Sequence, residues 1–407
     1  MIATHSITSQ VLDTLFEQVR GGCFAVAYKG GATKRYGSGE PQFTVRFKDD
    51  HVLDLVGEDM LTTFGEAYMD GRVDVEGDLA ELIALALRSG SLSTFTQRTR
   101  GLAGAALRAI GGLRSLKREQ ANIARHYDLG NDFFRLWFDE SLTYSCAYFR
   151  SPSDTLERAQ RQKMDHTLQK LRLQPNETLL DIGCGWGSLM MRASEKYRVN
   201  ATGITLSEEQ HAGANAAIRQ RGLQETANVR LVNYSALAHE GEQFDKIVSV
   251  GMIEHVGKEN LLGFVESLET LLKPGGLALL HFITGVKEAP TNQWIEKYIF
   301  PGGYIPTLPE ISTHLAARNF RVWDVENLAP HYHLTLDHWS ERFERVVPMV
   351  LEKFDERFVR MWRLYLRSSS AAFREGAVEV HQMLVSRGQP SDLPLTREDI
   401  YGGQNRC

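Results

Sequence analysis

The first 87 residues alternate between strand-like and helical patterns. Residues 43–47 (Phe-Thr-Val-Arg-Phe) and 73–76 (Val-Asp-Val-Glu) place apolar side chains at every second position, which predicts half-buried strands. Residues 51–56 predict a further strand, which we expect to pair with 43–47 as a hairpin. From residue 79 to 87 the apolar positions recur at helical spacing. The pattern predicts a small α+β domain over residues 1–87.

Between residues 119 and 285, short apolar runs alternate with helical segments. Strands are predicted at residues 178–183, 201–206, 228–233, 244–250 and 277–281, and helices at 188–196 and from Ser207 onward. Such alternation is typical of a parallel sheet with helices on both faces. An aromatic region follows at about residues 290–310, and long helices are predicted from Leu336 to Ser386. We therefore predict an α/β core with a mostly parallel sheet and C-terminal helices, in a domain over residues 119–407.

A basic linker over residues 88–118 separates these two regions. No acidic residue occurs between Glu81 and Glu119, whereas basic residues occur at positions 88, 98, 100, 108, 114, 117 and 118. Apolar residues recur in it at helical spacing, and a basic amphipathic segment can lie on an anionic bilayer surface. The alternative is a solvated linker helix whose apolar stripe packs on its own protein. Several glycines weaken a continuous helix in either case.

Composition and charge exclude several classes of protein. The chain has 407 residues, of which 43% are hydrophobic and 24% charged, so disorder and low-complexity scaffolds are excluded. The net charge of −5 leaves no general nucleic-acid footprint. No apolar run reaches the ~18 residues of a membrane span, and the first thirty residues lack a signal-peptide pattern. The cysteines are far apart (Cys23, Cys146, Cys184 and Cys407), which argues against a disulfide framework or a metal site. We expect a soluble, cytoplasmic protein.

A glycine-rich turn at residues 181–187 (Asp-Ile-Gly-Cys-Gly-Trp-Gly) marks a candidate cofactor site. It lies where a predicted strand opens into a helix, as nucleotide-cofactor sites do. Its spacing is G-x-G-x-G, unlike the dinucleotide motif, and the tip of the second strand (residues 204–207) has no acidic residue. Together with Lys-Pro-Gly-Gly at 273–276, this order predicts a Rossmann-like class I methyltransferase core that uses S-adenosylmethionine.

Gln210 has two possible roles. It lies three residues after Ser207, as the amide of a helix-capping box does. An amide can also hydrogen-bond the hydroxyls of the adenosyl ribose, in place of the missing acidic residue. The pattern alone favours the cap.

Five motifs in order give this chain a resemblance to a known family. They are residues 125–133 (Arg-His-Tyr-Asp-Leu-Gly-Asn-Asp-Phe), 142–149 (Leu-Thr-Tyr-Ser-Cys-Ala-Tyr-Phe), 181–187, 250–257 (Val-Gly-Met-Ile-Glu-His-Val-Gly) and 297–302 (Lys-Tyr-Ile-Phe-Pro-Gly). The sequence resembles the cyclopropane-fatty-acid synthases and the related cyclopropane mycolic acid synthases over about residues 120–387. Residues 1–87 also resemble the small N-terminal domain of that family. The family transfers the methyl group of S-adenosylmethionine to a cis double bond in a lipid acyl chain, giving a cyclopropane ring or, in some relatives, a methyl branch.

The resemblance implies two groups of site residues. Those implied to bind the cofactor are Tyr144, Ser145, Asp181, Gly183, Gly185, Gly187, Thr205, Leu206, Gln210, Tyr234 and Ser235. Those implied to do the chemistry, as the cradle of a bound bicarbonate ion that acts as the base, are Cys146, Glu254, His281, Ile283 through its backbone N–H, and Tyr332. An Asp is frequent in the family where this chain has Asn233, so the adenine contact there is expected to differ.

The chemistry of the reaction agrees with these residue types. Methyl transfer to an alkene leaves a carbocation, which aromatic faces stabilise, and this chain offers Tyr148, Phe149, Trp294, Tyr298, Phe300, Tyr304, Tyr332 and Trp339, each as readily a packing residue. Ring closure then needs a base, and Glu254 follows a strand at its carboxyl end, where α/β sites assemble. Cys146 is not needed as a nucleophile, because methyl transfer to an alkene forms no covalent enzyme intermediate.

The expected partners are unsaturated phospholipid acyl chains at the membrane surface. The resemblance also implies a homodimer. The basic linker and the N-terminal domain favour action at a membrane surface, so we expect peripheral association with the inner face of the cell membrane. The alternatives are methylation of the lipid double bond without ring closure, a methyltransferase for a small soluble molecule, and a lipid-binding protein that has lost catalysis.

Overall fold

The computed structural model describes residues 13–14, 16–31, 33–49, 60–89, 130–390 and 393–401. The predicted strand 51–56 with its hairpin, and the basic linker beyond residue 89, lie outside the described residues. Cys407 does too. No helix in the described ranges combines the length and the apolar character needed to cross a membrane.

The helices and strands have the following bounds. The strands are β1 (Phe24–Ala27), β2 (Thr33–Tyr36), β3 (Phe43–Phe47), β4 (Val73–Gly77), β5 (Thr178–Ile182), β6 (Asn200–Thr205), β7 (Ala227–Leu231), β8 (Phe244–Val250), β9 (Leu272–Gly285), β10 (Phe320–Asn327) and β11 (Val378–Arg387). The helices are α1 (Met60–Met69), α2 (Leu79–Arg88), α3 (Asn131–Arg135), α4 (Leu156–Leu171), α5 (Ser188–Tyr197), α6 (Glu208–Arg221), α7 (Tyr234–Ala238), α8 (Leu261–Leu271), α9 (Gln293–Tyr298), α10 (Leu308–Ala317), α11 (Ala329–Val350), α12 (Glu356–Arg374) and α13 (Glu398–Tyr401).

The chain divides into two compact units. The first comprises residues 1–114, 292–299 and 336–377, and the second comprises residues 115–291, 300–335 and 378–407. The predicted boundaries at residues 87 and 118 fall beside or within residues that the structure does not describe, so that three-part division stays a prediction. The units differ from it in that two segments, residues 292–299 and 336–377, which we assigned to the methyltransferase domain, belong to the first unit.

The first unit is built on a four-stranded sheet in the order β2-β1-β3-β4. Strand β3 runs parallel to β1 and antiparallel to β4. Alternate residues of β3 (Phe43, Val45 and Phe47) are buried, as their period of two predicts. Helix α2 begins where the Asp78 carboxylate accepts a hydrogen bond from the Ala80 N–H. The predicted α+β character of this region is present, and β1 and β2 were not predicted.

The second unit contains a seven-stranded sheet in the order β10-β11-β9-β8-β5-β6-β7. The five strands from β9 to β7 are mutually parallel, and β10 and β11 complete the sheet in antiparallel pairing. Apolar clusters cover both faces, one around β8 and α8 and the other around β5 and α5. This Rossmann-like, mostly parallel sheet confirms the predicted fold class.

One predicted helix is wrong. The prediction carried helical structure through to Ser386, but residues 378–387 form β11, inserted between β9 and β10. Seven consecutive residues of this strand, from Val380 to Ser386, are buried. A strand buried on both faces does not alternate, so its apolar run cannot be told from a buried helix by periodicity.

Candidate active site

A cavity lies at the carboxyl ends of the central parallel strands of the second unit. It measures about 1040 Å³, including open solvent at its mouth, and is bordered by residues 181–186, 204–206, 232–234, 250–252 and the loop 142–145. The first four of these segments follow or end β5, β6, β7 and β8, so neighbouring parallel strands bring them to one edge of the sheet. This is where open α/β sheets bind their ligands.

The glycine turn shapes one wall of this cavity. Gly183, Gly185 and Gly187 have φ angles of 78°, 56° and 81°, a region that favours glycine. Gly183 and Gly185 line the cavity. Gly187 is not among the lining residues; it starts α5, and a Cβ there would lie 3.3 Å from the Ala214 Cβ. Of the three glycines, two border the predicted cofactor site and the third sets the entry to the helix.

Thr205 and Gln210 form a polar pair on the cavity wall. The Thr205 hydroxyl donates to Gln210 Oε1 at 2.7 Å, and the Gln210 N–H donates to Ser207 Oγ at 3.2 Å. Ser207 therefore caps α6, but the Gln210 amide oxygen is taken by Thr205 instead of completing a capping box. Leu206 also lines the cavity. The role of Gln210 as a ribose ligand stays a prediction.

The predicted adenine segment is partly occupied by its own contacts. Asn233 Oδ1 accepts hydrogen bonds from the Ser235 N–H and hydroxyl, both at 2.8 Å, and so caps α7. Tyr234 and Asn233 line the cavity, whereas Ser235 is not among its lining residues. The Asn233 side chain thus orders this turn while its residue borders the ligand space.

The loop carrying Tyr144 and Ser145 closes the opposite wall. The Tyr144 ring lies 4.9 Å from the ring of Phe138 and 5.6 Å from that of Phe134. The Ser145 carbonyl accepts from Gln160 Nε2 at 2.9 Å, and the Ser145 hydroxyl accepts from Lys163 Nζ at 3.0 Å. Helix α4 therefore holds this loop through buried polar side chains.

Two side chains of charged type, Lys163 and Asp181, lie among the described residues that line the cavity. Burial raises the pKa of Asp181 to about 7, and the nearby Lys163 charge opposes this shift. Burial lowers the pKa of Lys163 to about 8. Lys163 was not predicted from the sequence. The only available signal was its place, with Gln160 and Thr167, on one polar stripe of α4, and such a stripe normally indicates a solvent-facing surface.

The residues predicted for the chemistry lie beside the cavity and are not among its lining residues. Glu254 follows the lining residues 250–252, and its Oε1 accepts a hydrogen bond from the Ile283 N–H at 2.7 Å. His281 lies two positions before Ile283 on β9, so both point to the same face of that strand. The hydrogen bond to Glu254 thus already uses the Ile283 N–H that was predicted to contact bicarbonate.

Cys146 and Tyr332 approach a common residue, Leu328. The Cys146 thiol lies 3.8 Å from the Leu328 carbonyl, and the Tyr332 N–H donates to the same carbonyl at 3.1 Å. The Leu328 N–H donates to Val380, which pairs with Ile283 across β11 and β9. Glu254 thus contacts Ile283 directly, whereas Cys146 and the Tyr332 backbone are connected to β9 through Leu328 and β11.

Burial shifts the pKa values of Glu254, His281 and Cys146. It raises the pKa of Glu254 to about 7, which the hydrogen bond from Ile283 opposes. It lowers the pKa of His281 well below its usual value and raises that of the Cys146 thiol, so both are neutral near pH 7. Glu254 Oε2 and His281 Nε2 are buried and have no hydrogen-bond partner among the described residues. A buried polar atom without a partner is uncommon in folded proteins, so each of these two atoms is a candidate contact for a small polar ligand.

The candidate aromatic residues are spread over several environments. Tyr148 is stacked between His166 and His331, with ring centroids 4.2 and 4.5 Å away. The Tyr304 hydroxyl donates to Glu310, and Phe300 packs edge-on against His255. Trp294, Tyr298 and Trp339 belong to the first unit. None of the candidates in the described chain lines the cavity, so their proposed role in stabilising a cation stays a prediction.

No cluster of metal-ligating side chains occurs in the part of the chain that the structure describes. The three described cysteines are buried and free.

Comparisons with known proteins agree with this geometry. A family model described as mycolic acid cyclopropane synthetase matches residues 114–383, and a domain of unknown function (DUF7884) matches residues 11–98. The chain is 37% identical over 371 residues to a probable fatty acid methyltransferase of Pseudomonas putida, covering 89% of this chain and 92% of the relative. It is also 37% identical to the cyclopropane-fatty-acyl-phospholipid synthase of Escherichia coli K12, over 88% of this chain and 92% of that protein.

A solved structure extends the likeness to three dimensions. Mycolic acid cyclopropane synthase CmaA1, solved in complex with SAH and CTAB, has a TM-score of 0.62 and 38% identity. The match covers 66% of this chain and 98% of that one. The family resemblance predicted from the motifs is confirmed. The chain belongs to the mycolic acid cyclopropane synthetase family and is an S-adenosylmethionine-dependent methyltransferase.

Proposed function

We propose that this enzyme transfers the methyl group of S-adenosylmethionine to the cis double bond of an unsaturated phospholipid acyl chain, forming a cyclopropane fatty acid. The observation that carries the proposal is the buried Glu254 carboxylate, held by the Ile283 N–H and placed directly after the cavity-lining residues 250–252. A methyltransferase acting on a nucleophilic heteroatom does not need to remove a proton from the transferred methyl group. Cyclopropane formation does need a base at this place, and Glu254 would help to hold one.

The cavity fits S-adenosylmethionine in its polar pattern. Asp181, Thr205 and Gln210 offer polar groups along it, and the glycine turn lets a ligand approach the backbone closely. When bound, the cofactor supplies an electrophilic methyl group on a sulfonium. The task of the chain is to hold that methyl against the alkene carbon and to exclude water.

The unpartnered atoms of Glu254 and His281 fit a bound bicarbonate ion, which would supply the base. Bicarbonate offers both a hydroxyl donor and anionic acceptors, and so matches an acidic oxygen and an imidazole nitrogen. Cys146, Glu254, His281 and Tyr332 would hold it. Ile283 would act through Glu254, because its N–H is already donated to that carboxylate.

Two further parts of the proposal concern the surroundings of the enzyme. We infer that the basic linker, residues 88–118, attracts the protein to anionic lipid at the inner face of the cell membrane. Its binding to vesicles containing anionic phospholipid should then weaken as salt is added, because salt screens surface charge. Binding that does not change with salt would contradict this inference.

A homodimer, expected from the family, is also part of the proposal.

Transfer of labelled methyl groups tests the substrate. The purified enzyme is incubated with S-adenosylmethionine carrying a radiolabelled methyl group and with vesicles of an unsaturated phospholipid. We expect the label in the lipid fraction, and none with vesicles of the fully saturated phospholipid. Label found only in a water-soluble product would contradict the proposal and favour a methyltransferase for small molecules.

The product distinguishes ring formation from simple methylation. This alternative has specific support, because one relative is named a probable fatty acid methyltransferase. A ring methylene in the NMR spectrum of the extracted lipid supports cyclopropane formation, and a branched methyl signal supports the alternative.

A further inference from the structure

Lys163 differs from the other buried lysine of its helix. Lys170, seven residues further along α4, is fully buried and pairs with Glu326 at 2.5 Å and Asp324 at 3.5 Å. Lys163 is also buried, with 2% of its surface exposed, but its Nζ donates to the neutral Ser145 hydroxyl. In the described residues it forms no ion pair. Asp139 and Asp181 interact with Lys163 electrostatically but form no ion pair with it. Burying an ammonium group without an ion-pair partner is costly, so this lysine is suited to an anionic ligand.

The ligand space beside Lys163 is the cavity described above. Lys163 lines it together with Tyr144, Ser145 and Asp181. An ammonium and a carboxylate are thus presented to the same cavity without forming an ion pair with each other. The α-amino acid end of a ligand carries one carboxylate and one ammonium, and so matches this arrangement in charge.

We propose that Lys163 binds the α-carboxylate of the methionine end of S-adenosylmethionine, with Asp181 facing its α-ammonium. The cofactor carries positive charge on its sulfonium and ammonium groups, so the carboxylate is the one group that gains from a buried ammonium. Ser145 accepts from the lysine Nζ at 3.0 Å and lies next to Tyr144, and the family resemblance implies that both residues bind the cofactor. The inference rests on the cofactor assignment of the proposed function.

Matched ligands test the lysine directly. S-adenosylhomocysteine keeps the carboxylate and the ammonium, whereas its decarboxylated analogue keeps only the ammonium. Their affinities are measured by calorimetry for the wild type, for Lys163→Met, which keeps a linear apolar stem, and for Lys170→Met as the control for a lost buried lysine. We expect Lys163→Met to weaken S-adenosylhomocysteine binding by about 10- to 100-fold. Binding of the decarboxylated analogue should change by no more than about twofold, since the lost contact is absent from it. Lys170→Met should leave the ratio of the two affinities unchanged.

Proton uptake gives a second readout that needs no variant. The groups whose charge interacts with Lys163 are Cys146, Asp139 and Asp181, and Lys163 in turn affects His281. A carboxylate bound at the ammonium raises the lysine pKa, so binding near pH 8 should take up a fraction of a proton. Calorimetry in buffers of different ionisation enthalpy measures this uptake. It should be larger for S-adenosylhomocysteine than for the decarboxylated analogue, which removes contributions from the other groups.

The outcomes distinguish the role proposed for Lys163 from the binding of the cofactor in the cavity. Equal losses for both ligands in Lys163→Met, or equal proton uptake by both in the wild type, overturn the lysine assignment and leave the cofactor in place. If the wild type binds neither ligand, the cofactor assignment fails and the lysine proposal with it. Should Lys163→Met not fold, the wild-type proton uptake decides alone.

Discussion

Buried polar atoms of the cofactor cavity and buried polar atoms of the residues predicted for the chemistry differ in their hydrogen bonding. On the cavity wall, polar side chains hydrogen-bond one another: Thr205 with Gln210, and Ser145 with Lys163, whose charge has no ion-pair partner in the described residues. Among the residues predicted for the chemistry, which we call the chemical group (Cys146, Glu254, His281, Ile283 and Tyr332), Glu254 Oε2 and His281 Nε2 are buried and have no hydrogen-bond partner in the described part of the chain. A buried polar group without a hydrogen-bond partner costs about 1–3 kcal/mol of folding free energy. The rest of the fold must compensate for this cost at Glu254 and His281.

This contrast shows what each region is built to do. A satisfied wall can bind a cofactor through a few contacts and keep its shape when the cofactor leaves. Unsatisfied atoms are ready to bind a small polar ligand or to move a proton, and they gain hydrogen bonds only when that ligand is present. Substitutions in the chemical group should therefore reduce turnover more than they affect folding. Loss of a neutral hydrogen bond on the cavity wall should weaken cofactor binding by a smaller factor than this loss of turnover.

The largest expected effect is the loss of turnover in Glu254→Gln. The amide has nearly the same shape but cannot ionise, so methyl transfer to lipid should fall by about 10²- to 10⁴-fold. S-adenosylhomocysteine affinity should stay within about threefold of the wild type, because Glu254 is not among the cavity-lining residues. The radiolabel assay and calorimetry measure the two quantities. Glu288→Gln, which removes an exposed carboxylate paired with Lys258, is the control and should change neither. Full turnover in Glu254→Gln would remove Glu254 from the mechanism.

The same residue should make stability depend on pH. Its pKa is raised from 4.5 to about 7 in the folded protein, so folding favours the protonated form. The stability from burying the neutral acid is fully present below pH 4.5 and is lost as pH rises through about 7. Relative to Glu254→Gln, the wild type should lose about 2–3 kcal/mol of unfolding free energy across this interval, at 1.36 kcal/mol per pKa unit. Denaturant titrations of both proteins between pH 4.5 and 8 measure the difference. A constant difference would show that the carboxylate is already ionised and paired.

The partner of His281 should have an intermediate effect. Gln382 Nε2 lies 3.2 Å from His281 Nδ1 and donates to Thr167 Oγ1 at 3.0 Å. Gln382→Met keeps the volume but removes the amide, which frees the imidazole to rotate. We expect turnover to fall by about 10- to 100-fold with cofactor affinity unchanged. An equal loss of both would mean that the substitution deforms the sheet instead of releasing the histidine.

The smallest expected effect is on the cavity wall. Thr205→Val removes the hydroxyl that donates to Gln210 and retains the shape of the side chain. We expect S-adenosylhomocysteine to bind about five-fold more weakly, corresponding to a single neutral hydrogen bond of about 1 kcal/mol. Maximal turnover should be unchanged. A thousand-fold loss of turnover would show that the two regions are not separate in function.

The cavity could be predicted from the sequence because its walls are local. Residues 181–187 and 204–210 each combine a strand end, a turn and a helix start within a few positions, and strand order brings them together. The chemical group joins segments near residues 146, 254, 281 and 332, and their proximity depends on the pairing of β8, β9 and β11. Glu254 could be predicted from its place at the carboxyl end of a strand, whereas the roles of Cys146, His281, Ile283 and Tyr332 were predicted from the family resemblance alone.

Helix α4 and strand β11 show where the patterns mislead. Gln160, Lys163, Thr167 and Lys170 lie on one side of α4 and are buried, although a polar stripe normally faces water. Their tertiary partners, which include Ser145, Gln382 and Glu326, are far away in the chain. In β11, two-sided burial removes the alternation that would identify a strand. In both cases tertiary contacts override the local signal.

The fate of the transferred hydrogens tests the central claim most directly. The enzyme is supplied with S-adenosylmethionine whose methyl group is fully deuterated and with vesicles of an unsaturated phospholipid, and the deuterium in the lipid product is counted by mass spectrometry. If a base beside the cavity removes a proton from the new methyl group, the product will retain two deuterons in a ring methylene. A product that retains all three as a methyl branch would show that no such deprotonation occurs, and the role given to the Glu254 group would be wrong.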